Sequence, residues 1–199
     1  MARYGARNAK WAPFAEEAAD TVTTALPKYQ AAKTFGQLNK VSDNLNFNEG
    51  SVHGDDAIVL YEKQFKDGTV DAESVYLPIA DAATMLGAKS DDANGVSFSA
   101  DDTPPYIGYG FVTHHLSKEK HYYQAVFYPK LKAAPSSESY ETRGDNITFA
   151  TDKLSFHIET PLCRVYKIVK DFDTEDLANA FIDGLFDASA TPPGLGGNA

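Results

Sequence analysis

Residues 36–77 read GQLNKVSDNLNFNEGSVHGDDAIVLYEKQFKDGTVDAESVYL. Ile58, Val59, Leu60, Tyr61 and Phe65 lead into Lys66-Asp67-Gly68-Thr69, and Val70, Ala72 and Val75 lead out. Asp67-Gly68 therefore stands where a two-residue type I′ turn needs residues that tolerate positive φ, and the pattern predicts a core hairpin over 58–75. Phe35 to Val41 reads as a strand entering the polar run NLNFNEGSVHGDD of Asn44–Asp56. That run is too polar to bury and longer than most loops in a compact domain, which is the length at which loops are usually functional or disordered. It is read as either a floppy surface loop or a projecting arm that meets a partner.

Outward from this stretch the chain is rich in short strands. Ile107, Tyr109 and Phe111 alternate, residues 117–120 turn the chain, and Tyr122 to Tyr128 returns as YYQAVFY, apolar or aromatic on both faces as in a central or covered strand. Ile147 with Phe149, then Leu154, Phe156 and Ile158, then Val165, Ile168 and Val169 add further strands, and Val96 with Phe98 makes a short one after a turn at Ala88–Asp92. Two helices punctuate the pattern. Ile79, Ala82, Ala83 and Leu86 share one face between Pro78 and a C-capping Gly87. Near the end, Asp173 is read as the N-cap of a helix whose face is Leu177, Ala178, Phe181, Ile182 and Leu185. The sum is a mainly β (α+β) chain, a sandwich or barrel with a flanking short helix and a C-terminal helix, forming one domain over 1–188 with a flexible Pro/Gly tail at 189–199.

Residues 1–20 form a basic leading segment, with Arg3, Arg7 and Lys10 ahead of the first acidic residue, Glu16, and with Tyr4, Trp11 and Phe14 as anchors. It is either an arm docking on an acidic neighbour or an edge strand packed on its own domain. The formal net charge of −10 argues against coating or reading nucleic acid, because such binding relies on clustered cations that displace counterions from phosphates. Cys163 is the only cysteine, which excludes an intramolecular disulfide and suggests a buried, inert thiol. No run reaches the ~18 apolar residues of a membrane span, and the first residues lack the apolar core of a signal peptide, so no membrane partner is expected and the chain is expected to be made in a cytoplasm.

Chemistry is sparse. His114, His115 and His121 have no Cys or carboxylate at ligand spacing and are expected to be exposed near a turn. Asp171, Asp173, Glu175 and Asp176 lack the glycine and terminal glutamate of a calcium loop. Gly108-Tyr109-Gly110 lacks the following helix of a phosphate cradle, no nucleophile elbow is present, and carboxylate pairs such as Glu138 and Glu141 are of the kind an acidic chain offers by chance. No enzymatic activity, cofactor or metal is expected.

Several stretches, taken in order, carry a family likeness. They are Tyr4-Gly5, Asn8 and Ala12-Pro13; Leu38-Asn39-Lys40-Val41-Ser42; Asn48-Glu49-Gly50-Ser51 through Gly54-Asp55-Asp56-Ala57; Gly108-Tyr109-Gly110-Phe111; Tyr123 to Lys130; Glu141-Thr142-Arg143-Gly144-Asp145; and Phe172-Asp173-Thr174. In this order and spacing the chain resembles the major tail proteins of phages with long, non-contractile tails, the tail tube proteins. The resemblance runs to about Phe186 and rests on no single diagnostic motif. It implies a virion structural protein that self-assembles into six-membered rings stacked as a hollow tail tube for DNA delivery. The implied partners are the chain itself, the tape-measure protein in the lumen during assembly, the tail terminator and distal tail or baseplate proteins, and DNA in transit without specific binding. Under that reading Asn44, Asn46, Phe47, Asn48, Glu49, Gly50, His53, Asp55, Arg3, Arg7 and Trp11 are the candidate subunit-interface residues. The alternative is a carbohydrate-binding β-sandwich or adhesin module, with Trp11, Tyr106, Tyr109, Tyr122 and Tyr123 as stacking platforms.

Overall fold

The computed structural model describes residues 2–16, 20–21, 24–55, 57–91, 95–117, 120–135 and 151–187. Ten strands and two helices follow in chain order: β1 (Ala2–Pro13), β2 (Lys33–Thr34), β3 (Leu38–Gly54), β4 (Ala57–Ser74), α1 (Ile79–Leu86), β5 (Lys89–Asp91), β6 (Gly95–Ser97), β7 (Tyr106–Ser117), β8 (Lys120–Ala134), β9 (Asp152–Ile158), β10 (Ile168–Phe172) and α2 (Glu175–Phe186). The protein is mainly β, as its alternating apolar pattern predicts, with an antiparallel sheet and two flanking helices. The order in the main sheet is β2-β1-β7-β8-β9-β4-β3, with β10 also paired to β8. The sheet curls until β3 lies against β1 without forming a ladder to it, which gives a barrel-like body with an open seam.

Strand β8 is central, as its two-faced apolar sequence implies. One edge pairs with β7 along almost the whole strand, and the other is shared between β10 at Tyr123–Phe127 and β9 at Leu131–Ala134. Its side chains accordingly enter two cores. Val126, Tyr128 and Leu131 join Trp11, Phe35, Tyr109 and Phe156 inside the curl, while Ala125 and Phe127 face α2 with Tyr29, Val112 and Ile182. Gly108 and Gly110 serve this second core by close approach. A Cβ on Gly108 would stand 2.6 Å from the Tyr29 ring, and one on Gly110 2.9 Å from Ile182 Cγ2. The Gly-Tyr-Gly of β7 is thus a place where a helix and an aromatic ring press on backbone.

The basic leading segment resolves in favour of a packed strand. β1 is laddered to β7 throughout and to β2 at Lys10 and Trp11, and Trp11 is fully buried. Register shifts on β1 lie at Tyr4/Ala6 and Arg7/Lys10, where Gly5 and Asn8 take positive φ (69° and 55°). The acidic neighbour of this segment is the chain's own helix. Arg7 pairs with Glu175 at 3.3 Å, Asn8 donates to the same carboxylate at 2.7 Å, and Lys10 pairs with Asp183.

The structure corrects four local expectations. Residues 67–68 are not a turn: β4 runs straight through them, with Asp67 and Gly68 paired to Asn46 and Leu45 of β3 and Gly68 also opposite Ile158 of β9. Gly68 is required by crowding, since a Cβ there would lie 2.7 Å from the Asn44 carbonyl oxygen and 3.1 Å from Ile158 Cδ1. The N-cap of α2 is Thr174, whose hydroxyl accepts from the Leu177 amide, and Asp173 instead pairs with Lys120 at 2.8 Å. The buried face of α2 is rotated toward Phe186: Ala178, Ile182, Leu185 and Phe186 are buried, whereas Leu177 is 55% exposed. Within Ala88–Asp92, residues 89–91 form β5, paired to β6, and Phe98 lies exposed beyond that pair.

Helix α1 begins just after Pro78 and ends at a left-handed C-capping Gly87 as expected, but it buries Ala83 and Met85 and leaves Ile79 exposed in its first turn. Cys163 is buried, and that burial pushes its thiol pKa up. The strand expected at Ile147 and Phe149, Glu138 and Glu141, and the 189–199 tail lie outside the described residues.

Ile182→Ala removes a fully buried side chain from between α2 and β7 and is expected to cost about 2–5 kcal/mol in urea unfolding. Leu177→Ala, on the exposed side of the same helix, is expected to change stability by less than about 0.5 kcal/mol.

Candidate assembly interface

Backbone pairing decides what projects from this body. Residues 68–74 of β4 lie between β3 and β9, but among the described residues 57–67 have β3 as their only ladder, and β3 has no ladder there on its outer edge. Phe47–Gly54 and Ala57–Phe65 therefore leave the sheet together as a two-stranded ribbon. At ~3.3 Å per residue it extends about 25 Å beyond the body. As far as Gly54 the Asn44–Asp56 run is the outgoing strand of this ribbon and not a loop, and the chain reverses between the paired Gly54 and Ala57, with Asp55 at φ 48°.

The ribbon's base is fixed by aromatic contact. Phe65 stacks on Tyr166 with centroids 3.9 Å apart and planes at 5°, and Phe47 meets Phe65 edge-on at 6.0 Å. Asn46 donates to Asp67 at 2.6 Å across the strands, Lys63 pairs with Glu49 at 2.5 Å, and the same ammonium sits 4.8 Å from the Phe47 ring centroid. These exposed ion pairs add little stability, so the cross-strand aromatic contacts are the main fastening at the base.

Beyond that base the ribbon presents apolar side chains to solvent. Val59, Leu60 and Tyr61 are 70%, 60% and 54% exposed, and Val52 on the facing strand is 58% exposed. The first three were expected in the core of a hairpin turning at Asp67-Gly68, and with the reversal instead between Gly54 and Ala57 they lie outside it. An apolar group of this kind, flanked by two unpaired strand edges, is the surface that soluble monomers avoid and assemblies use.

Among the candidate interface residues, Asn44, Asn46, Phe47, Asn48, Glu49 and Gly50 are exposed along β3, His53 is on that strand opposite Ile58, and Asp55 is in the turn. Arg3 and Arg7 are exposed on β1, with Arg3 at the seam where β1 meets the root of β3, and Trp11 leaves the set because it is buried in the core. Val52, Val59, Leu60 and Tyr61 enter it. Their signal in the sequence was the polar run opposite them, since a strand paired only to NLNFNEGSVH has no core to face.

At the ribbon's root lies a cleft of about 540 Å³ between β1, β3 and β10. Asp43 sits there and accepts from Lys167 at 2.6 Å and from the Tyr128 hydroxyl at 2.9 Å. Burial works to raise the Asp43 pKa, but the Lys167 hydrogen bond and charge, with the Tyr128 hydroxyl, outweigh it and hold the carboxyl below its usual range. A second cavity of about 570 Å³ opens beside His115 and Asp171.

The histidines are not uniformly exposed. His115 is buried, stacked on Tyr122 and 2.8 Å from the Thr113 hydroxyl, with its pKa lowered first by burial and then by Arg3. His114 stacks on Tyr123, and the Tyr4 hydroxyl stands 3.4 Å from His114 Nε2 and 3.1 Å from His121 Nδ1. Among the described residues no group of three His, Cys, Asp or Glu gathers to hold a metal, and no helix is long and apolar enough to cross a membrane. Of the stacking platforms proposed for a carbohydrate, Trp11 and Tyr109 are fully buried, and Tyr122 and Tyr123 have their rings against histidines.

Fold and surface together define a mainly β protein with an exposed apolar ribbon on a barrel-like body. Comparison with protein-family models and with characterised proteins returns no match to this chain.

Asp43 has its folded pKa below its unfolded value of ~3.9, so its pairing stabilises the fold above that pH and the contribution is lost as pH falls through the folded pKa. The urea midpoint should therefore drop between about pH 4 and pH 2, and Lys167→Met should flatten that drop while raising the Asp43 carboxyl pKa in an NMR titration.

Proposed function

We propose that this chain is a structural subunit that assembles through its β3–β4 ribbon into stacked rings, the tail tube of a long, non-contractile-tailed phage. The observation that carries the assembly part is the ribbon itself: about 25 Å of two-stranded β structure with open edges and exposed Val52, Val59, Leu60 and Tyr61. Left uncovered, such a surface is an aggregation hazard, and a closed ring of identical contacts turns it into a specific one. The tube reading comes from the ordered likeness to tail tube proteins in the sequence, with which a mainly β body, a flanking helix and a long projecting segment agree.

In this role the chain has no reaction to perform. Its site is the ring and ring-stacking contact, its product a virion tail tube built in the bacterial host, and its other partners the tape-measure protein, the tail terminator and the distal tail proteins. A net charge of −10 suits a conduit for DNA, because an acidic wall repels phosphates and favours passage over retention.

Replacing Asn48–Gln64 by Asn-Gly, which joins the paired Phe47 and Phe65 through a tight turn, is expected to leave far-UV circular dichroism and urea unfolding near wild type. Rings and tubes in negative-stain microscopy should disappear. Unchanged polymerisation would remove the ribbon from the interface, and a wild-type chain that stays monomeric at every concentration, even with tail-initiating partners, would refute the tube reading.

A further inference from the structure

The cleft at the ribbon's root has features of an acceptor surface. Its exposed rims are Arg3 on β1 and Asn39 and Lys40 on β3, and its floor is the buried Phe111, Val126 and Tyr128. β3 passes β1 here without a ladder, beside the register shift at Tyr4/Ala6, so strand edges as well as side chains are open to a partner. At about 540 Å³ it is within the roughly 300–1,000 Å³ of ordinary ligand clefts.

Its charge is opposite to that of the chain as a whole. Arg3, Lys40 and Lys167 line it against one carboxylate, Asp43, which Lys167 already neutralises. Arg3 and Lys40 make no ion pair among the described residues. The distal ribbon has the complementary composition: residues 47–65 carry Glu49, Asp55, Asp56 and Glu62 against Lys63 as the one lysine or arginine, together with the exposed Val59, Leu60 and Tyr61. An acidic chain that associates with itself must bring unlike local charges together, and these two surfaces do so while offering apolar groups to each other.

We propose that the cleft between β1 and β3 receives the tip of the β3–β4 ribbon from a second copy of this chain. This deepens, and rests on, the ring-forming reading above. The donor is a different copy because Asp55 at the ribbon's end lies fifteen residues along the chain from Lys40, about 50 Å in extended strand at ~3.3 Å per residue, and a stiff ribbon does not fold back on its own root. Docking covers the apolar tip, neutralises Arg3 and Lys40, and supplies polar groups to the open strand edges. Because donor and acceptor lie on opposite ends of one strand, each copy gives its ribbon to one neighbour and takes one from another, the head-to-tail contact that closes rings or extends filaments.

The test mixes two full-length single variants, Lys40→Cys and Asp55→Cys, with the buried Cys163 as the only other thiol. Under mild oxidation a disulfide-linked dimer should form in assembled material from the mixture. The mixture of Thr84→Cys, on α1, with Asp55→Cys should give no such product. In parallel, Lys40→Glu should raise the concentration at half-assembly about tenfold, as should Asp55→Lys, with the double variant returning toward wild type. Assembly without the cross-link, or charge reversals that leave half-assembly unchanged, would overturn the cleft as acceptor and leave the ring-forming reading standing. A wild-type chain that never assembles would overturn both.

Discussion

A buried or semi-buried strand must find partners for its backbone on both edges, and β4 satisfies that demand over only part of its length. Among the described residues, from Gly68 to Ser74 it has β3 on one side and β9 on the other, and from Ala57 to Asp67 it has β3 alone. The body and the ribbon meet where β9 stops, at the pairing of Gly68 with Ile158. The missing side chain at Gly68 is what lets three strands close up there, since any Cβ would strike the Asn44 carbonyl and the Ile158 side chain. Everything distal is a ribbon held by cross-strand pairs and by the Phe65–Tyr166 stack at its root.

The body that carries the ribbon is built for rigidity. β8 is buried on both faces and paired on both edges, α2 and Tyr29 press on the glycines of β7, and Arg7 and Lys10 of β1 are tied to carboxylates of α2. A projecting contact element transmits a defined angle to its neighbour only when its root does not move. The Asp43–Lys167–Tyr128 triad and the Tyr166 stack tie that root to β8 and to the segment entering β10.

The same geometry gives the surface its asymmetry. Arg3, Lys40 and Lys167 outnumber Asp43 at the seam between β1 and β3, while Glu49, Asp55, Asp56 and Glu62 outnumber Lys63 in the ribbon sequence, so an overall acidic chain has a local donor and a local acceptor. Self-association of highly charged chains depends on that kind of segregation, because uniform like charge repels.

By itself the sequence determined the class of the fold, the central hairpin of β7 and β8, both helices and the buried cysteine. The strands and helices are written in local periodicity, as Ile107-Tyr109-Phe111 and the helix between Pro78 and Gly87 show, and the buried cysteine in there being only one. Only the tertiary structure decided where the chain turns between β3 and β4. Asp-Gly at 67–68 satisfies the local rule for a hairpin turn, yet the chain reverses between the paired Gly54 and Ala57, and the choice depends on β9, some ninety residues after Gly68, packing against it. That choice moved Val59, Leu60 and Tyr61 from core to surface and turned a polar loop into half of a ribbon. Trp11 went the other way, from a candidate contact to the core, because β7 and β2 pair with its strand while Phe35, Tyr109 and Phe156 close the interior around it, and a sequence window of one strand contains none of these.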